Sequence, residues 1–351
     1  MGTTIAGRCN ANIDICGGIS LGGCRVLAVR KAHSLWFMVV RHPAGRVLMA
    51  APQIFLLILL ISCGSGDVAI DFGRSEAAPD LNIKTSDREP LRIAVAPVLS
   101  VRSTSALYER LAEYMALRLD RPVELVQGKS YAEINDLVKS GDVTVALVCT
   151  NPYLQGKDDF GMELLVVPQV NGETVYRSYL IVNTTSTANS LDDLQSSSFA
   201  FTDPLSNSGR LVPVYQLAIR GTNAEAFFSQ TIFTYSHDSS IRAVANGIVA
   251  GAAVDSLVFE YLEKTEPELT AQVRVIERWG PFGINPLVVN PRLDAQTKEA
   301  LRRLFMEMDQ DPVGAEILAH LEIERFVVPD ADIYESVREM RAYLHDRGLG
   351  P

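Results

Sequence analysis

Ser206, Asn207, Ser208 and Gly209 stand side by side in "FTDPLSNSGRLVP" (residues 201–213), two hydroxyls and an amide ahead of a glycine. The residues before them, Phe199 to Phe201, read as a strand. After them Leu211, Val214, Tyr215 and Ala218 recur at helical spacing, so the group occupies a strand-to-helix corner. Two chemistries suit such a corner. One is a turn closed by an N-cap. The other is an anion site. The first N–H groups of a helix lack partners and carry partial positive charge, and hydroxyls rotate to donate to oxygens that only accept. Gly209 leaves the corner unobstructed, and Pro213 falls where a missing N–H costs little.

Further polar residues fall at comparable places. His237, in "TYSHDSS", precedes a helix expected from about Ser239. The helix dipole disfavours its charged form, whereas a bound dianion would favour it. Ser239 and Ser240 read as caps. "CTNPY" (149–153) follows a buried strand, at the end where open α/β sheets bind ligands. Thr150 and Asn151 are placed to donate across a cleft and Tyr153 to wall it, while Cys149 reads as core packing. Ser103 and Thr104 open the first helix as caps or as part of the cradle. Asp255 and Ser256 end a later strand and are expected to face the cleft. A hydrolytic set could be drawn from Ser206 or Ser208, His237, and Asp203 or Asp255. No G-x-S-x-G surrounds either serine, and H-E-x-x-H, C-x-x-C and P-loop patterns do not occur, so neither catalysis nor a metal or cofactor is expected.

The elements that position these residues alternate. "LRIAVAPV" (91–98), "VELVQG" (123–128) and "VTVALVC" (143–149) read as strands, with helices over 104–119 and 131–140 between them. "LLVVPQVNGETVYRSYLIVN" (164–183) reads as two extended segments about the turn Asn171-Gly172. A second alternation follows: strands near 198–201, 231–235 and 251–254, with helices over 209–220, 239–247 and 256–263. "RVIERWGPFGINPLVVN" returns extended, and the end is helical over 294–308, 312–320 and 330–347. The expected fold is α/β, a type II periplasmic-binding-protein-like architecture of two β/α lobes joined by two extended hinge crossings. Residues 91–181 and 283–351 form lobe 1, and residues 182–282 form lobe 2.

The segment before residue 91 reads differently. "IFLLILLI" (54–61) is too short for a bilayer core that needs about 20 apolar residues. It suits the h-region of a secretory signal. "Leu60-Ile61-Ser62-Cys63" fits a bacterial lipobox, with Cys63 lipidated and residues 64–90 a flexible tether. A basic n-region appears if the chain starts at Met38, so residues 1–63 read as an over-extended start plus a signal peptide. The net charge is −10; residues 1–63 contribute +5, from six Lys/Arg against one Asp, so the remainder carries −15. An acidic body is a poor nucleic-acid binder. It must hold an anion by local donors.

The chain resembles the substrate-binding lipoproteins of phosphate/phosphite/phosphonate ABC transporters from about residue 91 to 330. The resemblance is carried by "YAEINDLVKSGDVTVALVCTNPY", "FTDPLSNSGRLVP", "TYSHDSSIRAVANGIVAGAAVDS" and "GPFGINPLVV". It implies that Ser206, Asn207, Ser208, Gly209 and His237 clamp a phosphorus oxyanion between the lobes, with Tyr131 near the ligand. The family often has Thr at the position of Asn207. Asn285 stands where aminophosphonate binders tend to carry an acid, so its neutrality implies a plainer oxyanion. The resemblance further implies a monomer, tethered to the cell envelope by lipid, that delivers phosphonate, phosphite or phosphate to an ABC permease. The alternative is a ligand sensor of the same fold serving a signalling partner.

Overall fold

The computed structural model describes residues 89–349 other than Ala331, together with the backbone of five short strands between Ile13 and Leu48. In the helix Val101–Leu119 the side chains at positions 101–104, 106 and 107, including Ser103 and Thr104, lie outside this description. So do the apolar run 54–61, Cys63 and the segment 64–88. The chain divides into units 1–82 and 83–351. In the first, the five strands pair antiparallel, although the sequence there shows no sustained period.

The second unit contains two sheets. The first is built from β1 (Leu91–Val95), β2 (Val123–Gln127), β3 (Val145–Leu147) and β4 (Glu163–Gln169), followed much later by two more strands. The chain leaves it to form a second sheet from β5 (Val175–Asn183), β6 (Ser198–Phe201), β7 (Gln230–Phe233), β8 (Gly251–Asp255) and β9 (Val273–Gly283). It then returns as β10 (Leu287–Val289) and β11 (Arg325–Val327). The spatial orders are β11-β4-β10-β3-β1-β2 and β7-β6-β8-β5-β9. β1 is parallel to β2 and β3, and β6 to β7 and β8; β10 joins the first sheet antiparallel. Each sheet is the floor of one lobe. The two crossings are the extended stretches β4–β5 and β9–β10. In the first, Asn171 (φ 50°) and Gly172 (φ 74°) make the tight turn, closed by paired Val170–Glu173 hydrogen bonds of 2.9 and 3.0 Å.

Helices cover both faces, as parallel strands with two apolar sides require. In the first lobe α1 (Val101–Leu119), α2 (Tyr131–Ser140) and α3 (Thr150–Phe160) follow the first three strands. α2 shows how locally such an element is specified. Ser130 Oγ accepts the Glu133 N–H at 3.3 Å, and Glu133 Oε2 reaches back to the N–H of Lys129 at 2.6 Å. This reciprocal cap is worth about 1 kcal/mol. Gly141 ends the helix at φ 86°, and Tyr131, Ile134, Asn135 and Val138 form the buried face.

α3 was not anticipated. "CTNPY" does not simply end a strand; Cys149 caps a helix that begins at Thr150, where Pro152 falls within the first turn. In the second lobe α4 (Val212–Ala218), α5 (Ala224–Phe227), α6 (His237–Ala245), α7 (Ser256–Thr265) and α8 (Pro267–Thr270) surround the sheet. α9 (Ala295–Met306), α10 (Pro312–His320) and α11 (Glu335–His345) complete the chain. α11 packs on α3 in the first lobe and on α4 in the second. The largest apolar cluster runs through both lobes, from Ile134 and Tyr153 through Tyr176 to Phe199 and Phe201.

Candidate ligand site between the lobes

The corner at 206–209 combines both chemistries expected of it, on different residues. Ser206 is the cap: its backbone is extended, and its Oγ accepts the Gly209 N–H at 3.0 Å. The turn that follows is wider than an α-turn, with the Leu211 N–H donating to Ser206 O at 2.9 Å, five residues back. Such π-turns widen a helix start and are frequent at functional sites. Ser208 lies inside this turn, fully buried, and its carbonyl accepts from Ser178 Oγ at 2.7 Å. Its own hydroxyl has no partner among the described residues. Asn207 donates through Nδ2 to the Tyr176 hydroxyl at 2.9 Å and leaves Oδ1 unpartnered. Gly209 is required by close approach. A Cβ there would stand 2.3 Å from Thr202 Oγ1 and 2.6 Å from Thr202 Cβ.

Thr202 connects the corner to His237. Its hydroxyl lies 3.1 Å from His237 Nδ1, and the same nitrogen receives the backbone N–H of Asp255 at 3.1 Å. A backbone N–H can only donate, so Nδ1 is an acceptor and the ring proton resides on Nε2. Nε2 is buried and unpartnered. Burial drives the His237 pKa down to about 3, with Asp238 opposing. Without ligand the ring is therefore a neutral donor, and burial opposes the charged form that a dianion would favour. His237 is itself the first residue of α6, two residues earlier than expected, with Ser236 as its N-cap. Its N–H donates across the cleft to Val98 O at 3.0 Å.

The opposite wall comes from the first lobe. Tyr131 opens α2; its N–H donates to Asp203 Oδ2 at 3.1 Å, while its buried hydroxyl has no partner among the described residues. Thr150 and Asn151 behave differently from expectation. Thr150 Oγ1 donates to Gly283 O at 2.6 Å, and its N–H reaches Asn285 Oδ1 at 3.2 Å. Asn151 Nδ2 donates to Leu205 O at 2.9 Å. These donors are engaged by protein acceptors, so the two residues brace the cleft rather than offer it free donors. Tyr153 packs against Tyr334 with ring centroids 5.1 Å apart. Cys149, buried behind them, has its thiol pushed up to about 12, an inert core position.

Asp255 ends β8, and its Oδ1 accepts the Leu257 N–H at 2.8 Å. Burial is the main cause raising its carboxyl to about 7, against the stabilising effect of N–H donors and of the Asn285 amide. Asp203 is also raised by burial, partly offset by the N–H groups of Leu205 and Tyr131. No serine–histidine–carboxylate relay is assembled from these groups. His237 Nδ1 faces the backbone N–H of Asp255, not its carboxylate, which is the reverse of what a general base needs. Among the described residues no cluster of three or more His, Cys, Asp or Glu could hold a metal.

Ser208 Oγ, His237 Nε2 and Tyr131 Oη are thus three buried groups able to donate, contributed by both lobes, and neutral donors of this kind fit an oxyanion. Thr202 and Ser178, which hold His237 and Ser208, and Tyr176, which accepts from Asn207, are not singled out by the sequence. Thr202 carries a usable signal as the polar residue that follows β6, just before the corner. Ser178 and Tyr176 look like ordinary strand residues.

A fold of two lobes around a buried polar cleft is that of the periplasmic solute-binding proteins. The sequence profile described as "ABC transporter, phosphonate, periplasmic substrate-binding protein" matches residues 93–334, and the chain belongs to that family. It is 26% identical over 230 residues to the phosphate-import protein PhnD of Mycolicibacterium smegmatis, covering 62% of this chain and 72% of that protein. It is 30% identical over 155 residues to the phosphonates-binding periplasmic protein of Escherichia coli, covering 43% of this chain and 46% of the relative, less than half its length. Among solved structures, a binding-protein component of an ABC phosphonate transporter from Pseudomonas aeruginosa superposes with a TM-score of 0.70 at 26% identity, over 74% of this chain and 87% of that one. PhnD1 of Prochlorococcus marinus, solved with methylphosphonate, shares the fold with a TM-score of 0.67 at 19% identity, over 73% and 98% of the two chains.

Proposed function

We propose that this protein captures a phosphorus oxyanion (a phosphonate, phosphite or phosphate) between its lobes outside the cytoplasmic membrane and presents it to an ABC permease. The observation that carries the reading is the set of buried, unpartnered donors, Ser208 Oγ, His237 Nε2 and Tyr131 Oη, contributed by both lobes. Hydrogen bonds to a charged group contribute roughly 1.5–3 kcal/mol each, and a micromolar complex needs about 8 kcal/mol. Several neutral donors supply that without an arginine clamp, in keeping with a body of net charge −15. Asp255 and Asn285, whose side chains meet by a hydrogen bond, are assigned to the border of the same cleft. Asn207 contributes an acceptor that suits a protonated ligand oxygen.

The same reading places a lipid anchor at Cys63, a tether over 64–90 and a monomeric body whose lobes divide at the two crossings. Calorimetric titration of the purified protein with methylphosphonate, phosphite, phosphate and 2-aminoethylphosphonate, with sulfate as control, tests the ligand class. Micromolar or tighter binding of at least one phosphorus anion and none of sulfate is expected. Failure of all four phosphorus anions to bind would reject the reading.

A further inference from the structure

The C-terminal helix α11 begins at Glu335, one residue beyond the end of the family match at 334, and one of its side chains reaches the cleft. Arg341 Nη1 donates to Asn151 Oδ1 at 2.7 Å and to Asn151 O at 3.3 Å, and Nη2 donates to Asp158 Oδ2 at 3.1 Å. Asn151 is fully buried. A guanidinium has no acceptor, so the amide must turn its oxygen toward Arg341 and its nitrogen toward the second lobe. There Nδ2 donates to the carbonyl of Leu205 at 2.9 Å, and Leu205 is the residue directly before Ser206. The chain Arg341–Asn151–Leu205 therefore links α11, the start of α3 and the oxyanion corner.

We infer that Arg341 is a positioning residue for closure of the cleft: it fixes the Asn151 amide so that the first lobe latches onto the second beside Ser206. The inference rests on the proposed ligand-binding role. Two further contacts give α11 the geometry of a clasp. Tyr343 packs edge-on against Tyr215 of α4 with centroids 5.2 Å apart, and Val337, Met340 and Leu344 form its buried face. One helix thus holds surfaces that must separate when the lobes part. Other hydrogen bonds across the cleft, among them Tyr131 N–H to Asp203, Ser100 N–H to Asp238 and His237 N–H to Val98, involve no residue of α11. Without Arg341 the amide loses its fixed orientation, and its rotated form would set oxygen against the Leu205 carbonyl. Opening then becomes easier while the encounter of ligand with the open form is untouched. The rate affected is dissociation.

Stopped-flow kinetics on the full chain, with methylphosphonate and with inorganic phosphate as probes, tests this. Arg341→Gln should raise the dissociation rate about 10-fold, the upper end for the one neutral hydrogen bond from Asn151 Nδ2 to the Leu205 carbonyl, and leave the association rate within about two-fold. Arg341→Lys, which keeps a donor for Asn151 Oδ1, should recover most of the loss. Asn151→Ala should match Arg341→Gln, and the double variant should be no worse than either single one. Asp158→Asn, which breaks the exposed outer ion pair, should change neither rate. Small-angle scattering of ligand-free Arg341→Gln should show a more open particle than the unaltered protein. An unchanged dissociation rate in a folded Arg341→Gln, or additive effects of the two single substitutions, would overturn the inference. Should Arg341→Gln fail to fold, the Arg341→Lys and Asn151→Ala comparison decides in its place. If neither anion binds the unaltered protein, the proposed ligand class is at fault, and the scattering comparison still decides whether Arg341 holds the lobes together.

Discussion

The backbone N–H of Asp255 meets Nδ1 of His237 at 3.1 Å, and this contact determines which ring nitrogen carries the proton. A neutral Nε2–H donor is thereby aimed by β8, a strand 18 residues further along the chain. With its pKa near 3, His237 does not titrate between pH 5 and 8. His237→Ala should weaken oxyanion binding by about 10- to 150-fold, one charge-directed hydrogen bond, by the same factor at pH 5.5 and pH 8. Nitrogen NMR of the imidazole should report the Nε2–H tautomer at both values. A loss confined to the lower pH would mean that the ring binds as a cation.

The two serines of the corner should separate cleanly. Ser206→Ala removes a cap and should lower stability by about 1 kcal/mol, read as a fall in the melting temperature of the ligand-free protein. Ser208→Ala removes a buried hydroxyl without a protein partner, so ligand-free stability should hold or rise. Its affinity for the oxyanion should drop about 10- to 150-fold. Equal effects of the two variants on affinity would assign both residues to the cap.

Asp255 gives the fold a definite pH signature. Its carboxyl is raised to about 7 in the folded state from an ordinary value near 4. Between these values the folded state holds a proton that the unfolded chain has released, so this group makes stability fall as pH rises from about 4 to 7. Asp255→Asn keeps the acceptor for the Leu257 N–H and removes the titration. The variant should match the unaltered protein near pH 4.5 and exceed it by about 1–3 kcal/mol at pH 8. His237 acts in the opposite sense. Its lowered pKa makes stability rise with pH from about 3 to 6.5, so the comparison is made against Asp255→Asn, in which His237 is unchanged.

Lipidation of Cys63 is tested by Cys63→Ala, which should move the protein from the membrane fraction to the soluble one or leave it unprocessed. Unchanged fractionation and mass would dismiss the lipobox reading.

Much of the site was readable because its signals are local. The corner at 206–209 declares itself by a strand, an Asp-Pro turn and a helical apolar stripe within some twenty residues. The Asn171-Gly172 turn likewise specifies the first crossing by its own chemistry. What escaped depends on distance along the chain. Thr150 and Asn151 look like free donors until Gly283, Asn285 and Leu205 arrive beside them, 54 to 135 residues away. Helix α3 was hidden by "TNP", a string that reads as a turn, and β11 by its three-residue length. The complete burial of His237, which opposes its charged form, is not revealed by a sequence position near a helix start.

The placement of β10 bears on the order in which the molecule can be made. Residues 287–289 pair with β3 on one side and β4 on the other, so they lie inside the first sheet, yet they follow the whole of the second lobe in sequence. A chain emerging from the ribosome reaches β9 before the first lobe has the strand that joins its halves, whereas the second lobe already has every strand of its own. Such long-range pairing is slow to form because loop closure precedes its reward. The lobe that begins first is thus finished last, and α11 comes later still.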